Sequence, residues 1–561
     1  MTKQKKNKQS KSVSPEIYQL LLRGTALFDA GELQQAEQIF LTVLHQDAKN
    51  PDANYLLGII ANRFGQNELA LKRLQKAVKI SPKVSQIYTN LGIVLKELGQ
   101  LTKAIQNFNK AILLSPKNGS AYNNLAGCYQ DQGKLLEADQ AYEKAVQYGF
   151  FPAYSNRLLL TNYRIDIDQA AVLDMHQKWD AFYLTQHPEN TKSYAFSKPK
   201  GRIRLGYVSP DFNAHSVSYF FEPLLDHYDK SKFEVYCYYA SSHIDDTTRR
   251  LQEKADHWRS LVKLKDKQAA DLIFQDKIDI LVDMTGHTGI NRLGIFTYQA
   301  APIQMTWLGY PNTTGLTAMQ YRITDEIADP ADDNAYCSEQ VLRLPSGFLS
   351  YKGNANVAPN PISPCQTNGY FTFGSFNNLR KVNEEVIAAW SAILKSTPNS
   401  RLLIKSKQFA FVEVKQRFLK LFKVQGIPAN RLMLRDRIEN QEAHLKLYDE
   451  VDLALDTFPY NGTTTTCEAL WMGVPTLTYL GKLHAARVSA SILKHANLDD
   501  FIANDLSDYI SKAQYFAENT DVLSALRPTI RATLLASELC NAKGFTKNME
   551  QAFLSAIERL V

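Results

Sequence analysis

Apolar and small residues recur with a period of 34 residues through the first part of the chain. Small side chains allow two helices to cross closely, bulky ones fill the space between helices, and glycine suits the turn within a helix pair. The pattern predicts four helix pairs over about residues 16 to 150, with a degenerate fifth beginning at 154 to 163. The in-phase sets are Gly24, Gly58, Gly92 and Ala126; Gly31, Gly65, Gly99 and Gly133; Ala36, Ala70, Ala104 and Ala138; and Phe40, Leu74, Phe108 and Tyr142.

This repeat resembles the tetratricopeptide repeat (TPR), whose arrays stack into a superhelix that binds peptides on its concave face. Asn90 and Asn124 are in phase on the first helix of their repeats. We predict that their amides pair with the backbone of an extended acceptor polypeptide. The alternative is that they are ordinary polar surface residues, and the first two repeats carry Leu22 and Leu56 at this position.

Behind the repeats, and after a helical stretch at about 165 to 188, the pattern changes to short apolar runs that alternate with helical segments. Such alternation predicts parallel sheets with helices on both faces. A segment rich in Pro, Asn and Ser at about 352 to 368 separates two series, so we expect two doubly wound, Rossmann-like lobes around a cleft. The predicted strands are 202–208, 233–239, 278–283 and 303–308 in the first lobe, and 370–374, 401–405, 431–434, 451–455 and 476–479 in the second.

These patterns divide the chain into six segments. In order, they are a disordered basic tail, a TPR array of four to five repeats, a helical linker, two α/β lobes and C-terminal helices that pack back on the lobes. Their predicted bounds are 1–14, 15–163, 164–200, 201–365, 366–515 and 516–561.

Composition excludes several classes of protein. Hydrophobic content of 45% and charged content of 22% are typical of soluble globular proteins. No apolar run reaches the roughly 18 residues of a membrane span. The lysine-rich tail has no apolar segment behind it, so we expect a disordered arm rather than a secretory signal, with an electrostatic tether as the alternative. The 6 cysteines lack CxxC spacing, which favours reduced thiols and a cytoplasmic location. We expect no nucleic-acid partner.

The most informative motif is a Gly/Thr-rich turn, residues 456 to 468, between the last-but-one predicted strand and a helix. Backbone N–H groups at a helix start have no partner within the helix, and together with the hydroxyls of Thr463, Thr464 and Thr465 they suit a diphosphate. Glu468, just inside the helix, could accept ribose hydroxyls. The alternative is an ordinary capped helix.

Polar residues follow other predicted strands. Asn377, Asn378 and Lys381 form one set, in which Lys381 could neutralise a phosphate. His444 precedes the helix that leads to the motif strand. In the first lobe, either His215, which shares a loop with Asp211, or His287 could deprotonate an acceptor hydroxyl, but both cannot be the base.

Several motifs are missing from the sequence. There is no P-loop, no GxGxxG after the first strand, no HExxH, no GxSxG, no zinc-type Cys/His spacing and no convincing DxD pair. The sequence therefore predicts a leaving-group site without a metal or cofactor, in which backbone N–H groups, threonines and Lys381 stabilise the diphosphate.

TPRs joined to two such lobes resemble the protein O-GlcNAc transferase family, including its Spindly branch. The resemblance covers about residues 15 to 515 and runs through long motifs at 206–215, 283–288, 301–315, 374–381 and 456–468. It implies a glycosyltransferase-B (GT-B) fold and an inverting, metal-independent transfer of a sugar from a nucleotide donor to Ser or Thr.

The resemblance also implies roles for individual residues. His215 matches an active-site histidine, and Lys381 the lysine that stabilises the departing diphosphate. The remaining matches are a polar diphosphate contact at Asn378, a nucleotide-contacting histidine at His444, phosphate-binding threonines at Thr464 and Thr465, an acidic ribose ligand at Glu468, and Arg487, which has no firm role.

The chain departs from the animal enzymes at two places. They have His where this chain has Thr463, and the segment 439–442 lacks the lysine that they use near uracil. The run of four threonines is similar to the Spindly branch, whose plant members transfer fucose from a GDP donor. We therefore expect transfer of GlcNAc from UDP-GlcNAc to polypeptide Ser/Thr, with GDP-fucose as the alternative donor. An inactive scaffold is the third possibility, which intact Lys381, Thr464, Thr465 and Glu468 oppose.

Overall fold

The computed structural model describes residues 14–187, 201–436, 438 and 440–559. The basic tail up to residue 13, and the end of the expected linker at 188–200, lie outside the described residues. The chain forms two compact units, the first running to Ala153 with Phe411–Val414 and the second comprising Tyr154–Ala410 and Lys415–Val561.

The first unit consists of antiparallel helix pairs, as the 34-residue period predicts. Gly31, Gly65, Gly99 and Gly133 each occupy the turn within a pair at φ between 71° and 83°, a conformation that glycine adopts without strain. The helices are α1 (Pro15–Asp29), α2 (Leu33–Gln46), α3 (Pro51–Arg63), α4 (Asn67–Ile80), α5 (Ser85–Glu97), α6 (Leu101–Leu114), α7 (Gly119–Asp131) and α8 (Leu135–Gln147).

Close helix crossings explain the small residues of the repeat. A Cβ on Gly24 would lie 2.7 Å from the ring of Phe40, and one on Gly92 would lie 2.6 Å from the ring of Phe108. Phe40 and Phe108 are fully buried. In these two helix pairs, the in-phase glycine and the in-phase bulky residue therefore contact each other where the helices cross.

The second unit begins earlier than the sequence suggested. The expected array boundary was residue 163, but α9 (Pro152–Thr161) lies in the second unit from Tyr154 onward. α9 and α10 (Gln169–Gln186) supply Leu158 and Trp179 to the core of the first lobe.

The first lobe is a parallel sheet with the order β3-β2-β1-β4-β5-β6-β7 across the described residues. The strand order reverses between β1 and β4, which is where doubly wound sheets bind ligands. Its strands are β1 (Ile203–Ser209), β2 (Phe233–Tyr239), β3 (His257–Ser260), β4 (Ile280–Asp283), β5 (Ile303–Thr306), β6 (Tyr321–Thr324) and β7 (Gln340–Arg343); its helices are α11 (Ser216–His227), α12 (Asp246–Lys254), α13 (Asp266–Gln275) and α14 (Leu293–Thr297).

The second lobe repeats this topology with the order β10-β9-β8-β11-β12-β13. Its reversal point lies between β8 and β11. The strands are β8 (Phe371–Ser375), β9 (Ser400–Lys405), β10 (Leu432–Arg435), β11 (Leu453–Leu455), β12 (Thr476–Tyr479) and β13 (Ile502–Ala503); the helices are α15 (Cys365–Asn368), α16 (Glu384–Ser396), α17 (Val412–Val424), α18 (Gln441–Lys446), α19 (Thr464–Trp471), α20 (Val488–His495) and α21 (Leu506–Glu518).

Two further helices, α22 (Thr520–Leu535) and α23 (Ala542–Glu558), follow the second sheet. α23 packs on α11 of the first lobe. The ring of its Phe545 lies 6.0 Å from that of Trp307. In α22, buried Arg527 donates to the carbonyl of Val451 at 2.6 Å and fixes the start of the motif strand.

The prediction of two parallel, doubly wound lobes is confirmed, although four strands were missed. β3 and β7 carry polar, partly exposed residues and therefore lack the apolar signal of a buried strand. β13 is two residues long, and β6 is interrupted by the buried Arg322.

Candidate functional site

A cavity of about 470 Å³ lies at the carboxyl ends of both sheets, at the two points where strand order reverses. The size falls within the range of about 300–1,000 Å³ that is usual for ligand sites. Residues of both lobes line it, among them the predicted residues His215, Asn378, Lys381, Thr463, Thr464 and Thr465.

The buried carboxylate of Asp456 organises the second-lobe side of the cavity. It accepts hydrogen bonds from the backbone of Gly462 at 2.7 Å and of Thr457 at 2.8 Å, and from the Thr478 hydroxyl on the next strand at 2.8 Å. Burial raises the pKa of Asp456, while the hydrogen bonds from Ser489, Gly462 and Thr478 and the charge of Lys381 oppose the shift. The carboxylate thus folds the 456–462 turn back to present the start of α19 to the cavity.

The start of α19 carries the predicted threonines. Cys467 makes the first intrahelical hydrogen bond, to the carbonyl of Thr463, so the N–H groups of residues 464 to 466 precede the helical ladder. Thr465 Oγ1 donates to Asn377 Oδ1 at 3.1 Å, which ties the two loops together. A helix start with preceding N–H groups and hydroxyls favours an anion at this place.

Lys381 ends the 3₁₀ turn that follows β8. Its partly buried ammonium donates to the carbonyl of Asn461 at 2.5 Å and lies 3.9 Å from the centre of the Tyr460 ring. Burial lowers the pKa of Lys381 to about 8, and the Asp456 carboxylate opposes this shift. Asn378 begins the same turn and accepts from the N–H of Arg380 at 3.1 Å. The loop therefore holds a cation beside the α19 start.

His444 and Glu468 form a pair next to the cavity rather than on its lining. His444 Nε2 lies 3.1 Å from Glu468 Oε2, and Nδ1 lies 3.0 Å from the ammonium of Lys405. Glu468 is one helical turn beyond Thr464, on the same face of α19. Lys405 was not among the residues expected at the site, although it ends the predicted strand at 401–405.

In the first lobe, His215 lies at the N-cap of α11 and lines the cavity. Its Nδ1 accepts from the N–H of Val217 at 3.3 Å, and the Asp211 carboxylate lies 3.9 Å from the same nitrogen. Burial raises the pKa of Asp211, which also lines the cavity.

The prediction that His287 faces the cleft is wrong. Its side chain is buried, with Nε2 at 2.8 Å from the carbonyl of Thr314 and Nδ1 at 3.1 Å from Ser155 Oγ. Burial and the neighbouring His176 lower the pKa of His287 to about 3, so the ring is neutral. It joins α9 to the 309–315 loop and has no access to substrate.

Sequence reasoning also missed His484, on the loop after β12. This histidine lines the cavity, and its Nδ1 lies 2.8 Å from Asp329 of the first lobe. The neighbouring Arg487, left without a role above, donates to the carbonyl of Ile327 at 2.7 Å and so joins the two lobes. The rule that favours histidines after strand ends, applied to the strand at 476–479, would have found His484.

The repeat asparagines are partly occupied by contacts within the array. Asn90 donates to Tyr55 at 2.9 Å and to the carbonyl of Gln86 at 3.0 Å, whereas Asn124 donates to the carbonyl of Ser120 at 2.9 Å. Peptide binding by these residues stays a prediction, in which Asn124 retains more free donor capacity.

The described residues contain neither a metal-type cluster nor a membrane-spanning helix. No group of three or more His, Cys, Asp or Glu side chains is arranged to hold a metal ion. None of the described helices combines the length and apolarity needed to cross a bilayer.

Comparison with known families matches both parts of the chain. The model described as glycosyl transferase family 41 matches residues 176–354 and 367–549. Tetratricopeptide repeat models match 21–85, 74–106, 94–133 and 119–148. The resemblance stated from the motifs is thereby confirmed.

Two curated relatives come from Arabidopsis thaliana, and both are named as probable UDP-N-acetylglucosamine–peptide N-acetylglucosaminyltransferases. SPINDLY is 40% identical over 405 residues, covering 72% of this chain and 44% of the relative. SEC is 32% identical over 362 residues, covering 63% and 37%. The chain thus spans less than half the length of these relatives.

Among solved structures, a point mutant of the O-GlcNAc transferase of Thermobaculum terrenum is similar over 98% of this chain and 100% of that chain. It has a TM-score of 0.77 at 28% identity. This similarity confirms the predicted architecture of a TPR array followed by two Rossmann-like lobes.

Proposed function

Because the chain belongs to glycosyl transferase family 41, we propose that it transfers N-acetylglucosamine from UDP-GlcNAc to Ser or Thr hydroxyls of polypeptides. The proposed reaction inverts the configuration at the anomeric carbon and uses neither a metal nor a cofactor. The observation that carries the proposal is the meeting of Lys381 and the start of α19 at one cavity between the lobes.

In the proposed reaction, the acceptor hydroxyl attacks the anomeric carbon from the side opposite the diphosphate. The bond between that carbon and the phosphate oxygen breaks, and its electron pair leaves with the UDP. Lys381 and the N–H groups at the start of α19 stabilise the negative charge that builds on the diphosphate. Their partly buried position strengthens these electrostatic interactions relative to water.

Two features support the choice of substrates. The relatives named above carry peptide in their names, and the TPR array of this chain has the Asn124 amide available to an extended polypeptide. The proposal assigns the nucleoside of the donor to Glu468 and His444, whose side chains lie 3.1 Å apart.

GDP-fucose is the second candidate donor, because Thr463 begins a run of four threonines that resembles the Spindly branch, for which a GDP-fucose donor is expected. Thermal-shift titration with UDP and with GDP separates the two. A nucleotide that binds the folded state raises the melting temperature, and the tighter it binds, the lower the concentration that suffices. We expect UDP to do so at a lower concentration than GDP.

Turnover with each sugar nucleotide and a Ser/Thr-containing polypeptide then tests the reaction. GlcNAc transfer from UDP-GlcNAc supports the proposal. Fucose transfer from GDP-fucose would show that GDP-fucose is the donor instead. Absence of product from either donor, with the nucleotide still bound, would instead support a scaffold whose transferase lobes are inactive.

A further inference from the structure

His484 links the two lobes at the edge of the donor cavity. It begins a 3₁₀ turn between β12 and α20, and its neighbour Ala485 accepts from the N–H of Asn461 at 2.9 Å. Asn461 is the residue whose carbonyl binds the Lys381 ammonium. The ring of His484 also packs against Phe348 of the first lobe at 5.2 Å. His484 is therefore held from both lobes, one loop away from the predicted leaving-group site.

The hydrogen bond to Asp329 decides which nitrogen of His484 carries a proton. Arg322, 3.4 Å away, and His484 itself hold the pKa of the buried Asp329 carboxyl well below its usual range. An ionised carboxylate only accepts hydrogen bonds, so His484 Nδ1 must donate. In the neutral ring, Nε2 then has a free lone pair, and this nitrogen has no hydrogen bond to any residue that the structure describes.

His215, the histidine expected from the sequence, has the opposite arrangement. Its Nδ1 accepts the N–H of Val217 as part of the helix cap, so a neutral ring carries its proton on Nε2. In this arrangement His215 offers the cavity a hydrogen-bond donor, whereas His484 offers an acceptor.

On the basis of the proposed function, we propose that His484 is the general base of the transfer, with Asp329 as its positioning residue. The acceptor O–H bond breaks as the oxygen bonds to the anomeric carbon, and the proton passes to His484 Nε2. The carbon–oxygen bond to the diphosphate breaks in the same step, and its electron pair leaves with the diphosphate. The Asp329 carboxylate stabilises the resulting imidazolium, as in other carboxylate–histidine pairs.

Charged groups of both signs surround this histidine. The groups on the elements around it are Asp329, Arg322, Asp333 and Arg343 of the first lobe, Lys482 and Arg487 on its own loop, and Lys381, His215 and Asp211 along the cavity.

The first test is His484→Gln in the full chain, measured by sugar transfer to polypeptide. We expect kcat to fall about 10²- to 10⁴-fold, the range that general bases contribute. The affinity for UDP, measured by thermal shift, should stay within twofold, and the acidic limb of the wild-type pH–rate profile should disappear. A kcat within threefold of the wild type would overturn the inference, as would a loss confined to UDP affinity.

The matched control is His495→Gln, at the far end of α20, where Nδ1 of the ring lies 2.8 Å from the carbonyl of Ser491 on the same helix. We expect this variant to keep the wild-type rate. Asp329→Asn should lower kcat less than His484→Gln and shift the acidic limb, which a purely structural role would not do.

A His484→Ala variant adds a readout that does not depend on the Gln substitution. Added imidazole should restore part of its lost turnover, and failure of this rescue in a folded variant contradicts a base at this position. If the wild-type chain itself transfers no sugar, the proposed function fails; if the wild type is active and His484→Gln equals it, only this inference fails.

Discussion

The two lobes place an aspartate at the same point of their topology and use it in the same way. Asp283 is the last residue of β4, the fourth strand of the first lobe, and Asp456 directly follows β11, the fourth strand of the second lobe in chain order. Each accepts from a glycine N–H, at 2.9 Å from Gly286 and 2.7 Å from Gly462. Each also accepts from a threonine hydroxyl on the neighbouring strand, at 2.9 and 2.8 Å.

The residue directly after the glycine differs between the two loops and lies in a different environment. In the first lobe the next residue is His287, which enters the core and joins α9 to the lobe. In the second lobe the next residues are Thr463 and Thr464, which line the cavity. Both loops contribute to the cavity lining, since Thr285 and Thr288 flank His287 there. The shared aspartate–glycine turn is therefore a scaffold, and the residue directly after the glycine either enters the core, as His287 does, or lines the cavity, as Thr463 does.

The largest expected effect comes from the second-lobe side of the cavity. Replacement Lys381→Ala should lower kcat by about 10²- to 10³-fold, because it removes the cation that stabilises the departing diphosphate. The melting temperature should change little, since the cost of holding a partly buried charge disappears together with its hydrogen bond to Asn461. Lys395→Ala, at the exposed end of α16, is the control. Wild-type turnover in Lys381→Ala would contradict the assignment of the leaving-group site to the second lobe.

The corresponding change in the first lobe should affect stability instead. His287→Ala leaves a cavity and two unpaired partners, Ser155 Oγ and the Thr314 carbonyl, so we expect a loss of about 3 kcal/mol in unfolding free energy. Chemical denaturation measures this loss. His243→Ala, at a side chain that is 68% exposed, should be neutral. A folded His287→Ala protein with normal stability but no turnover would indicate that His287 acts in the reaction rather than in stabilising the fold.

The pH dependence of UDP binding tests whether the charge of Lys381, on the second-lobe side of the cavity, contributes to nucleotide affinity. Because the pKa of Lys381 is about 8, the ammonium is mostly charged below pH 8 and loses its charge as pH rises. UDP affinity should therefore fall by up to about tenfold per pH unit above 8, until the raised pKa of the bound state is reached. Lys381→Arg remains charged and should flatten the curve between pH 7 and 9. A pH-independent wild type would exclude this charge from nucleotide binding.

The smallest effect is expected in the repeat array, outside both walls of the cavity. Asn124→Ala should raise the KM for a polypeptide acceptor by about fivefold, the equivalent of one hydrogen bond of about 1 kcal/mol, and leave UDP affinity unchanged. Asn107→Ala is matched to it, because Asn107 makes the same bond to its own helix, at 2.8 Å, on the second helix of a pair. Equal effects of the two variants would argue against a peptide ladder on the first helices.

Much of the fold was predictable because its signals are local. The glycine and phenylalanine phases predicted the helix pairs, and apolar runs bounded by turns predicted the central strands of both sheets. β3 and β7 escaped prediction because edge strands bury only part of their side chains. β6 contains Arg322, whose charge is balanced by Asp329, a partner that cannot be identified from the strand itself.

The sequence by itself determined the second-lobe wall of the site. Thr463, Thr464 and Thr465 follow one another at a helix start, and Lys381 follows a strand end, so short-range geometry fixes their direction. Only the tertiary structure decided the roles of the histidines. Whether a histidine is buried, caps a helix or faces a cavity depends on partners distant in the chain: Ser155 for His287, and Asp329, 155 residues away, for His484. Those contacts fix tautomer and exposure, and neither quantity is encoded in the residues next to the ring.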